Sequence, residues 1–322
     1  MILETITIVC IALSIDFVFG DPRNRYHPTA WIGSIIAYLT PFAKNSNSLF
    51  EKLGGIFIVI IPCFIFVIVL TLLDFGLSFE TNYVTLIASV VISAILLKMT
   101  IAIRGMEKHA LSVVRSLTQN DIDSARDNLS MIVKRNTKNL EKKHLISGVL
   151  ESISENTVDG ITGPLFYYGL FGLHGAFVYR IVNTADSMIG YKNSIFKNIG
   201  FFGAKFDTVL NYVPSRLTGI MMIIAAIILH KNWRDCYRIM VRDGKKTESP
   251  NAGYPMAALA GALGTSFEKI DHYNLGDLDT ELTVDHIYSA INMMKLTSIL
   301  FVGLVTVPII VTLSYFGWWI HA

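Results

Sequence analysis

Polar side chains that could do chemistry are concentrated between residues 151 and 219 of a chain otherwise rich in apolar residues. They form three clusters: Glu-Asn-Thr-Val-Asp-Gly at 155–160, Asn-Thr-Ala-Asp-Ser-Met-Ile-Gly-Tyr-Lys at 183–192, and Asn-Tyr-Val-Pro-Ser-Arg-Leu-Thr at 211–218. Acids, amides and bases placed beside hydrocarbon carry a large desolvation cost. We therefore expect these side chains to line a water-filled cavity in which they act on a ligand.

Three acids in and before the first cluster are spaced for a cation. Glu151, Glu155 and Asp159 stand at i, i+4 and i+8 and fall roughly on one helical face. Like charges so placed repel each other, and Mg²⁺ accepts carboxylates together with water and phosphate oxygens. The alternative, which spacing alone favours, is a solvated acidic face at a helix end.

The second cluster adds a base and an amide to an acid. Arg180, Asn183 and Asp186 stand at i, i+3 and i+6, directly after a long apolar run. Further along the chain, Asp207 stands four residues before Asn211. The alternative to a binding site is that these groups form hydrogen bonds between neighbouring helices.

Two proline-containing loops are further candidates. In Gly-Asp-Pro-Arg-Asn-Arg-Tyr-His-Pro at 20–28, Asp21 starts a turn and His27 could titrate or bind phosphate, or simply cap a loop. Ser-Pro-Asn-Ala-Gly-Tyr-Pro at 249–255 leads into a run of small residues. The free N–H groups at the start of a helix there could bind an anion, although an ordinary turn is the simpler alternative.

The composition is that of an integral membrane protein. Of 322 residues, 52% are hydrophobic and 16% charged, and the mean hydropathy is +0.50, whereas a soluble domain carries about 25% charged residues. The net charge of +2 gives no global field for nucleic acid, and three cysteines without a Cys-x-x-Cys pair indicate neither a disulfide framework nor a zinc site. Glu4 and the lack of an early basic segment indicate that the N-terminus is not a cleavable signal peptide.

Long apolar runs, two of them interrupted by charges such as Asp16 and Lys98, predict an all-α, polytopic membrane protein with helical cytoplasmic loops and one membrane domain over residues 1–322. The predicted spans are 2–19, 54–73, 83–103 and 296–320. Two further segments, 161–179 and 209–229, either cross the membrane or dip in and return, and Pro214 is expected to bend the second.

The distribution of Lys and Arg predicts the orientation. The polar regions 104–160 and 231–295 are rich in both, as is 20–53, whereas 74–82 has neither. The positive-inside rule therefore puts these regions in the cytoplasm and 74–82 outside. A full crossing at 161–179 would put residues 183–207 outside, so we prefer partial insertion, or a pocket that opens to the cytoplasm. The expected location is the cell membrane, with the active site facing the cytoplasm.

Five motifs in this order resemble the CbiB/CobD family of cobalamin biosynthesis, the membrane-bound adenosylcobinamide-phosphate synthases. The resemblance covers residues 16–264. The motifs are Gly-Asp-Pro…His-Pro at 20–28, Glu-Asn-Thr-Val-Asp-Gly at 155–160 with Pro-Leu-Phe at 164–166, the run at 179–193, Asn…Pro…Arg-Leu-Thr at 211–218, and Ser-Pro-Asn-Ala-Gly…Pro at 249–255.

The resemblance implies an amide ligation that uses ATP and Mg²⁺. It would join the free carboxyl of adenosylcobyric acid to the amine of aminopropanol phosphate, or a close relative, through an acyl phosphate. The implied partners are these substrates, the lipid bilayer and other late cobalamin-assembly enzymes, with no nucleic acid. The implied catalytic residues are Glu155, Asp159, Asp186, Asp207 and His27; the metal ligands are Glu151, Glu155, Asp159 and Asp186; the substrate- or phosphate-binding residues are Asp21, Asn156, Arg180, Asn183, Tyr191, Lys192, Lys205, Asn211, Arg216 and Asn251.

Two other functions stay open at this level. Polar groups at span ends and glycine-rich broken helices also suit a membrane transporter, although no internal repeat is evident. A non-catalytic membrane sensor of the AmpE type would be expected to lack the paired clusters at 155–160 and 183–192.

Overall fold

The computed structural model describes residues 2–78, without the side chain of Ser78, and residues 82–191, 193–277 and 280–318. Within these ranges the chain is almost entirely helical, and one antiparallel hairpin supplies the strands, so the all-α polytopic prediction is confirmed. The elements are α1 Ile2–Phe19, α2 Pro28–Ala43, α3 Ser48–Ser78, α4 Tyr83–Lys98, α5 Ile103–Thr118, α6 Ile122–Ser130, α7 Lys142–Thr157, α8 Gly163–Ile189, α9 Phe201–Leu210, α10 Tyr212–Ile228, α11 Trp233–Asp243, α12 Gly253–Leu263, β1 Phe267–Lys269, β2 Tyr273–Leu275, α13 Val284–Phe301 and α14 Val307–Tyr315.

The chain forms two compact units. The first contains Met1–Ala102, Gly163–Leu210 and Thr306–Ala322, and the second contains Ile103–Thr162 and Asn211–Val305. In the first unit α1 packs against α4, and α3 packs against α2, α8 and α9. In the second unit α7 lies among α5, α12, α13 and the hairpin, while α11 packs along α12.

Within the described ranges, five helical segments are long and apolar enough to cross a bilayer, or six if α9 and α10 form one broken span. Most of the surface of α1 and α3 is exposed, including Phe57, Phe64 and Leu72, as expected of helices that face lipid. The predicted span 2–19 coincides with α1, and 54–73 lies inside α3.

Two predicted spans differ from the helices in their bounds. For the prediction 83–103, α4 ends at Lys98 and the backbone tightens into turns before α5 begins at Ile103. For the prediction 296–320, α13 already begins at Val284 and runs through a π-helical turn, Val302–Thr306, into α14. The start was missed because Lys295 interrupts the apolar run, yet its ammonium donates to Glu107 and is tolerated in the helix. Residues 319 and 320 lie outside the described residues.

Helix α8 folds back on itself. Phe171 and Gly172 leave helical geometry, and Gly172 has φ 61° and ψ −152°, a conformation that favours glycine. The rings of Tyr167 and Tyr179 stack at 5.4 Å, and a Cβ on Gly163 would come within 2.3 Å of the Tyr179 ring. In one straight helix the first pair would be separated by about 18 Å and the second by about 24 Å. Residues 161–179 therefore reverse direction, and whether they enter the membrane stays a prediction.

The segment 209–229 belongs to two helices. Helix α9 ends at Leu210 and α10 begins at Tyr212. The expected bend before Pro214 agrees with this break, because Pro214 has no N–H to donate to the Leu210 carbonyl, which accepts the Tyr167 hydroxyl instead.

A buried carboxylate joins the β-hairpin to the end of α11. Asp243 is 0% exposed and accepts hydrogen bonds from Arg242, Lys246 and the backbone N–H of Gly276. Burial by itself would raise the pKa of Asp243, but these hydrogen bonds outweigh it and hold that pKa well below its ordinary value. The hairpin is thereby fixed within the second unit.

Candidate functional site

The loop at 20–28 closes over a buried lysine. Lys98 Nζ lies 2.5 Å from Asp21 Oδ1 and 3.2 Å from Asp16 Oδ1, and the Lys98 and Asp16 side chains are 2% and 0% exposed. His27 Nε2 lies 3.5 Å from Asp21. Burial would raise the pKa of Asp21, but its hydrogen bonds with His27 and Lys98 outweigh this and lower it. Asp21 is therefore held ionised in an ion-paired cluster.

His27 is oriented by both of its neighbours. Its Nδ1 accepts the N–H of Thr29 at the start of α2, so the neutral ring carries its proton on Nε2, toward Asp21. The lone pair that a general base needs is occupied by Thr29, and the role of His27 as a base stays a prediction.

Sequence reasoning missed Lys98. A lysine inside the apolar run 83–103 and an acid, Asp16, inside the run 2–19 are opposite charges in two spans, and such charges usually pair. That signal was present in the sequence and would have placed Lys98 beside the loop at 20–28.

The C-terminal arm of α8 and helix α9 bring together part of the second cluster. The Asn183 side-chain amide donates to Asp207 Oδ1 at 3.2 Å, and Asn183 is buried while Asp186 and Asp207 are half-buried. A Cβ on residue 190 would lie 2.1 Å from Asp186 Oδ1, so Gly190 provides the space for that carboxylate. Arg180 is half-buried one turn before Asn183, Tyr191 and Lys205 are exposed, and Lys192 lies outside the described residues.

The acids of the first cluster do not share one environment. Helix α7 ends at Thr157 and passes into a π-helical turn, Val158–Thr162, which is a feature often found at functional sites. Glu155 is exposed and Asp159 half-buried, whereas Glu151 is 6% exposed. Asn156 is half-buried and donates to the Ser152 carbonyl. The expected continuous acidic face is therefore not formed.

Both carboxylate oxygens of Glu151 accept hydrogen bonds from neighbouring side chains. Arg135 donates to both of its carboxylate oxygens, at 3.2 and 3.0 Å, and Ser147 and Tyr273 donate to them at 2.8 and 2.9 Å. The guanidinium of Arg135 fits because Gly148 has no side chain. Burial and the charge of Glu151 raise the pKa of Tyr273. Arg135 and Tyr273 were not among the predicted site residues.

The contacts of Glu151 reduce the set of residues that fit as metal ligands. Among the described residues, no three His, Cys, Asp or Glu side chains are grouped so that they could hold a metal ion. Both oxygens of Glu151 are engaged, so it does not fit as a ligand. One or two carboxylates completed by water and phosphate still form a set that Mg²⁺ accepts. Glu155 is exposed and Asp159 half-buried in the second unit, Asp186 is half-buried in the first, and a metal site at any of them stays a prediction.

Arg216 is clamped between two tyrosine rings. Its guanidinium carbon lies 3.7 Å from the ring centre of Tyr212 and 4.3 Å from that of Tyr254. Its Nη1 donates to the Tyr212 carbonyl at 2.7 Å, to Ser215 Oγ at 3.1 Å and to Asn251 Oδ1 at 2.9 Å. The contact with Asn251 joins the motif at 211–218 to the one at 249–255.

The other edge of Arg216 is available to a ligand. Its Nε and Nη2 make no hydrogen bond within the described part of the chain, and the side chain is half-buried. A guanidinium held flat by stacking presents these two N–H groups in the geometry that suits a carboxylate or phosphate. Asn251 and Asn211 beside it are 4% and 3% exposed.

Comparison with known proteins identifies the family. The family model described as CobD/Cbib protein matches residues 9–300. The chain belongs to the CobD/CbiB family. The resemblance stated from the five motifs is thereby confirmed.

Curated relatives of the CobD/CbiB family match nearly end to end. A probable cobalamin biosynthesis protein CobD of Methanothermobacter thermautotrophicus is 39% identical over 93% of this chain and 96% of its own length. Cobalamin biosynthesis proteins CobD of Dehalococcoides mccartyi and Clostridium perfringens are 39% and 35% identical, over 85% and 94% of this chain and 88% and 96% of theirs. No solved structure matches the chain.

Proposed function

We propose that this chain acts in cobalamin biosynthesis as a ligase that joins adenosylcobyric acid to an amino-alcohol phosphate, with ATP as co-substrate. Family membership supports the pathway. The observation that carries the chemistry is the stacked Arg216, whose two open N–H groups form a receptor for an anionic oxygen beside Asn251.

The reaction requires two steps. A carboxylate oxygen of the corrinoid acid attacks the γ-phosphorus of ATP. The bond between that phosphorus and the β,γ-bridging oxygen breaks, so that ADP departs and the corrinoid carries an acyl phosphate. The amine nitrogen then attacks the acyl carbon, inorganic phosphate leaves, and the amine proton passes to a base. Charge accumulates on phosphoryl oxygens in the first step, and a positioned guanidinium such as Arg216 stabilises it.

The acids divide into two proposed roles. Glu155 and Asp159 are the residues that would hold Mg²⁺, which when bound would neutralise charge on phosphoryl oxygens. The role of Asp186 as a further ligand is tested by substitution. Asp207 is the preferred proton acceptor, because the lone pair of His27 is taken by Thr29. Asn183 fixes the orientation of the Asp207 carboxylate through its hydrogen bond.

The proposal is tested with the purified full chain in lipid nanodiscs. Wild type is expected to release ADP and form cobinamide phosphate only when corrinoid acid, amine and ATP are all present. Asp186→Asn should lower kcat/KM at least about a hundredfold, because it removes a charge needed for phosphoryl transfer. Asp123→Asn is the matched control, since Asp123 is 90% exposed on α6 and pairs only with Arg126 among the described residues.

Two results would overturn the proposal: no ligation by wild type, or equal rates in the two variants. In the cell, the chain should restore cobamide-dependent growth to a bacterium that lacks its cobinamide-phosphate synthase and is supplied with cobyric acid. The Asp186→Asn variant should fail there.

Transport is the second candidate function, and the reversal of α8 at Phe171 and Gly172 favours it. Helices broken in this way line substrate sites in many transporters. Corrinoid flux into liposomes that contain the chain and no ATP would support transport instead of ligation.

A further inference from the structure

A cavity of about 200 Å³ lies in the second unit, apart from the Arg216 clamp. Its walls are the segment before α7, the first turn of α7 and the tip of the β-hairpin. Sites for drug-sized ligands span about 300–1,000 Å³, so this cavity suits a small molecule and is far too small for a corrinoid.

Nitrogen donors dominate the polar lining. Arg135, Asn136, Lys269, His144 and His272 all line the cavity. Arg135 uses both terminal nitrogens on Glu151, but its buried Nε has no hydrogen-bond partner in the described ranges. Because Nε is enclosed by protein atoms, Arg135 contributes positive charge to the wall of the cavity and no open donor.

The charge balance favours an anion. The one carboxylate in the lining, Glu268, already lies 3.4 Å from His144 and 3.8 Å from Lys143. His272 is paired with Glu248 at 2.7 Å. Lys269 touches the Tyr273 ring and has no carboxylate partner among the residues described, so its charge is uncompensated.

The cavity walls are held in place without a ligand. Ser147 Oγ of α7 accepts the backbone N–H of Glu268 at 2.9 Å, and the His272 N–H closes the hairpin turn on the Lys269 carbonyl. Asp243 fixes the far end of the hairpin through Gly276. Little ordering entropy is therefore lost on binding.

We propose that this cavity binds a small phosphomonoester, with Lys269 and His272 donating to its phosphate oxygens and the Arg135 guanidinium adding positive charge to the wall. A phosphate offers three acceptor oxygens and a charge near −2, which matches this donor set. Under the proposed function the occupant is the amino-alcohol phosphate. This identity rests on the proposed function, whereas the binding of a phosphomonoester does not.

Binding is measured by calorimetry on the full chain in nanodiscs, without corrinoid or ATP. The probes are inorganic phosphate and O-phosphoethanolamine, which should compete for one site. Lys269→Ala should weaken binding of both by about tenfold or more, as expected for loss of a charged donor. Lys245→Ala is the matched control, because Lys245 is exposed in the same unit and does not line the cavity; it should change affinity less than about twofold.

A second variant guards against misfolding. His272→Ala removes a lining donor while leaving the pair of Arg135 and Glu151 intact, and it should weaken both probes. The thermal midpoint identifies any unfolding. Absence of wild-type binding up to about 10 mM phosphate, or equal loss in Lys269→Ala and Lys245→Ala, would overturn the proposal. Phosphate binding without O-phosphoethanolamine binding would overturn the phosphomonoester assignment. If the wild-type chain binds both probes but forms no amide, the proposed function is overturned and the phosphomonoester site stands.

Discussion

At the scale of single residues, chemistry here depends on how a charged side chain is held. Arg216 lies against two tyrosine rings and keeps two donors open, whereas Arg135 gives its terminal donors to Glu151. Lys98 is enclosed by two carboxylates and anchors a loop. Side chains of the same charge are therefore partly open to a ligand in one place and fully paired within the fold in another.

The Arg216 clamp gives a prediction at this scale. Arg216→Lys keeps the charge but loses the stacked plane and the paired N–H groups, so kcat/KM for ATP should fall about tenfold or more. Arg234→Lys is the matched control, since Arg234 lies over the ring of Trp233 in a comparable pair outside the motifs. Equal steady-state kinetics in the two variants would remove Arg216 from the site.

At the scale of elements, the reversal of α8 depends on small residues where its two arms meet. A Cβ on Gly163 would clash with Tyr179, and one on Gly175 would lie 2.3 Å from the Tyr167 carbonyl. The arms can approach closely only because neither position carries a side chain. In the sequence these glycines only make the segment 161–179 a less certain span. In the structure they are the positions at which the two arms of α8 touch.

Gly163→Val should lower the free energy of unfolding by about 1–3 kcal/mol, because the added methyl groups separate the arms. The measurement is the unfolding midpoint in detergent. Gly76→Ala in α3 is the control, since nothing lies within 4 Å of its new Cβ. A midpoint unchanged by Gly163→Val would mean that the arms do not depend on this contact.

At the scale of the whole molecule, five long apolar segments make the chain a multi-pass membrane protein. Its orientation rests on the distribution of Lys and Arg, because the helices alone do not define a side. Each of the two units contributes part of the predicted motifs, and the convergence of these motifs into one cavity stays a prediction.

The orientation is tested by labelling cells with a membrane-impermeant maleimide. Tyr83→Cys, beside the segment 74–82, should react in intact cells, since Tyr83 is 86% exposed. Lys245→Cys should react only after the membrane is opened. The reverse pattern would put the region 231–295 outside.

The sequence by itself determined the class of fold and the family, and its candidate site residues stay predictions. Composition and charge-free runs are sufficient for the first, because about twenty apolar residues must span a bilayer wherever they occur. Ordered motifs are sufficient for the second. Local spacing correctly joined neither Asp21 to Lys98 nor Arg216 to Asn251, since each pair is distant along the chain.

Only the tertiary structure decided which charged side chains are paired within the protein and which are open to a ligand. Glu151 matched its neighbours Glu155 and Asp159 in spacing, yet packing of α7 against the hairpin buries it with Arg135 and Tyr273. The cavity beside Lys269 likewise exists only after the hairpin folds against α7. The physical reason is that burial and ion pairing depend on partners brought from far along the chain, which periodicity and local spacing do not encode.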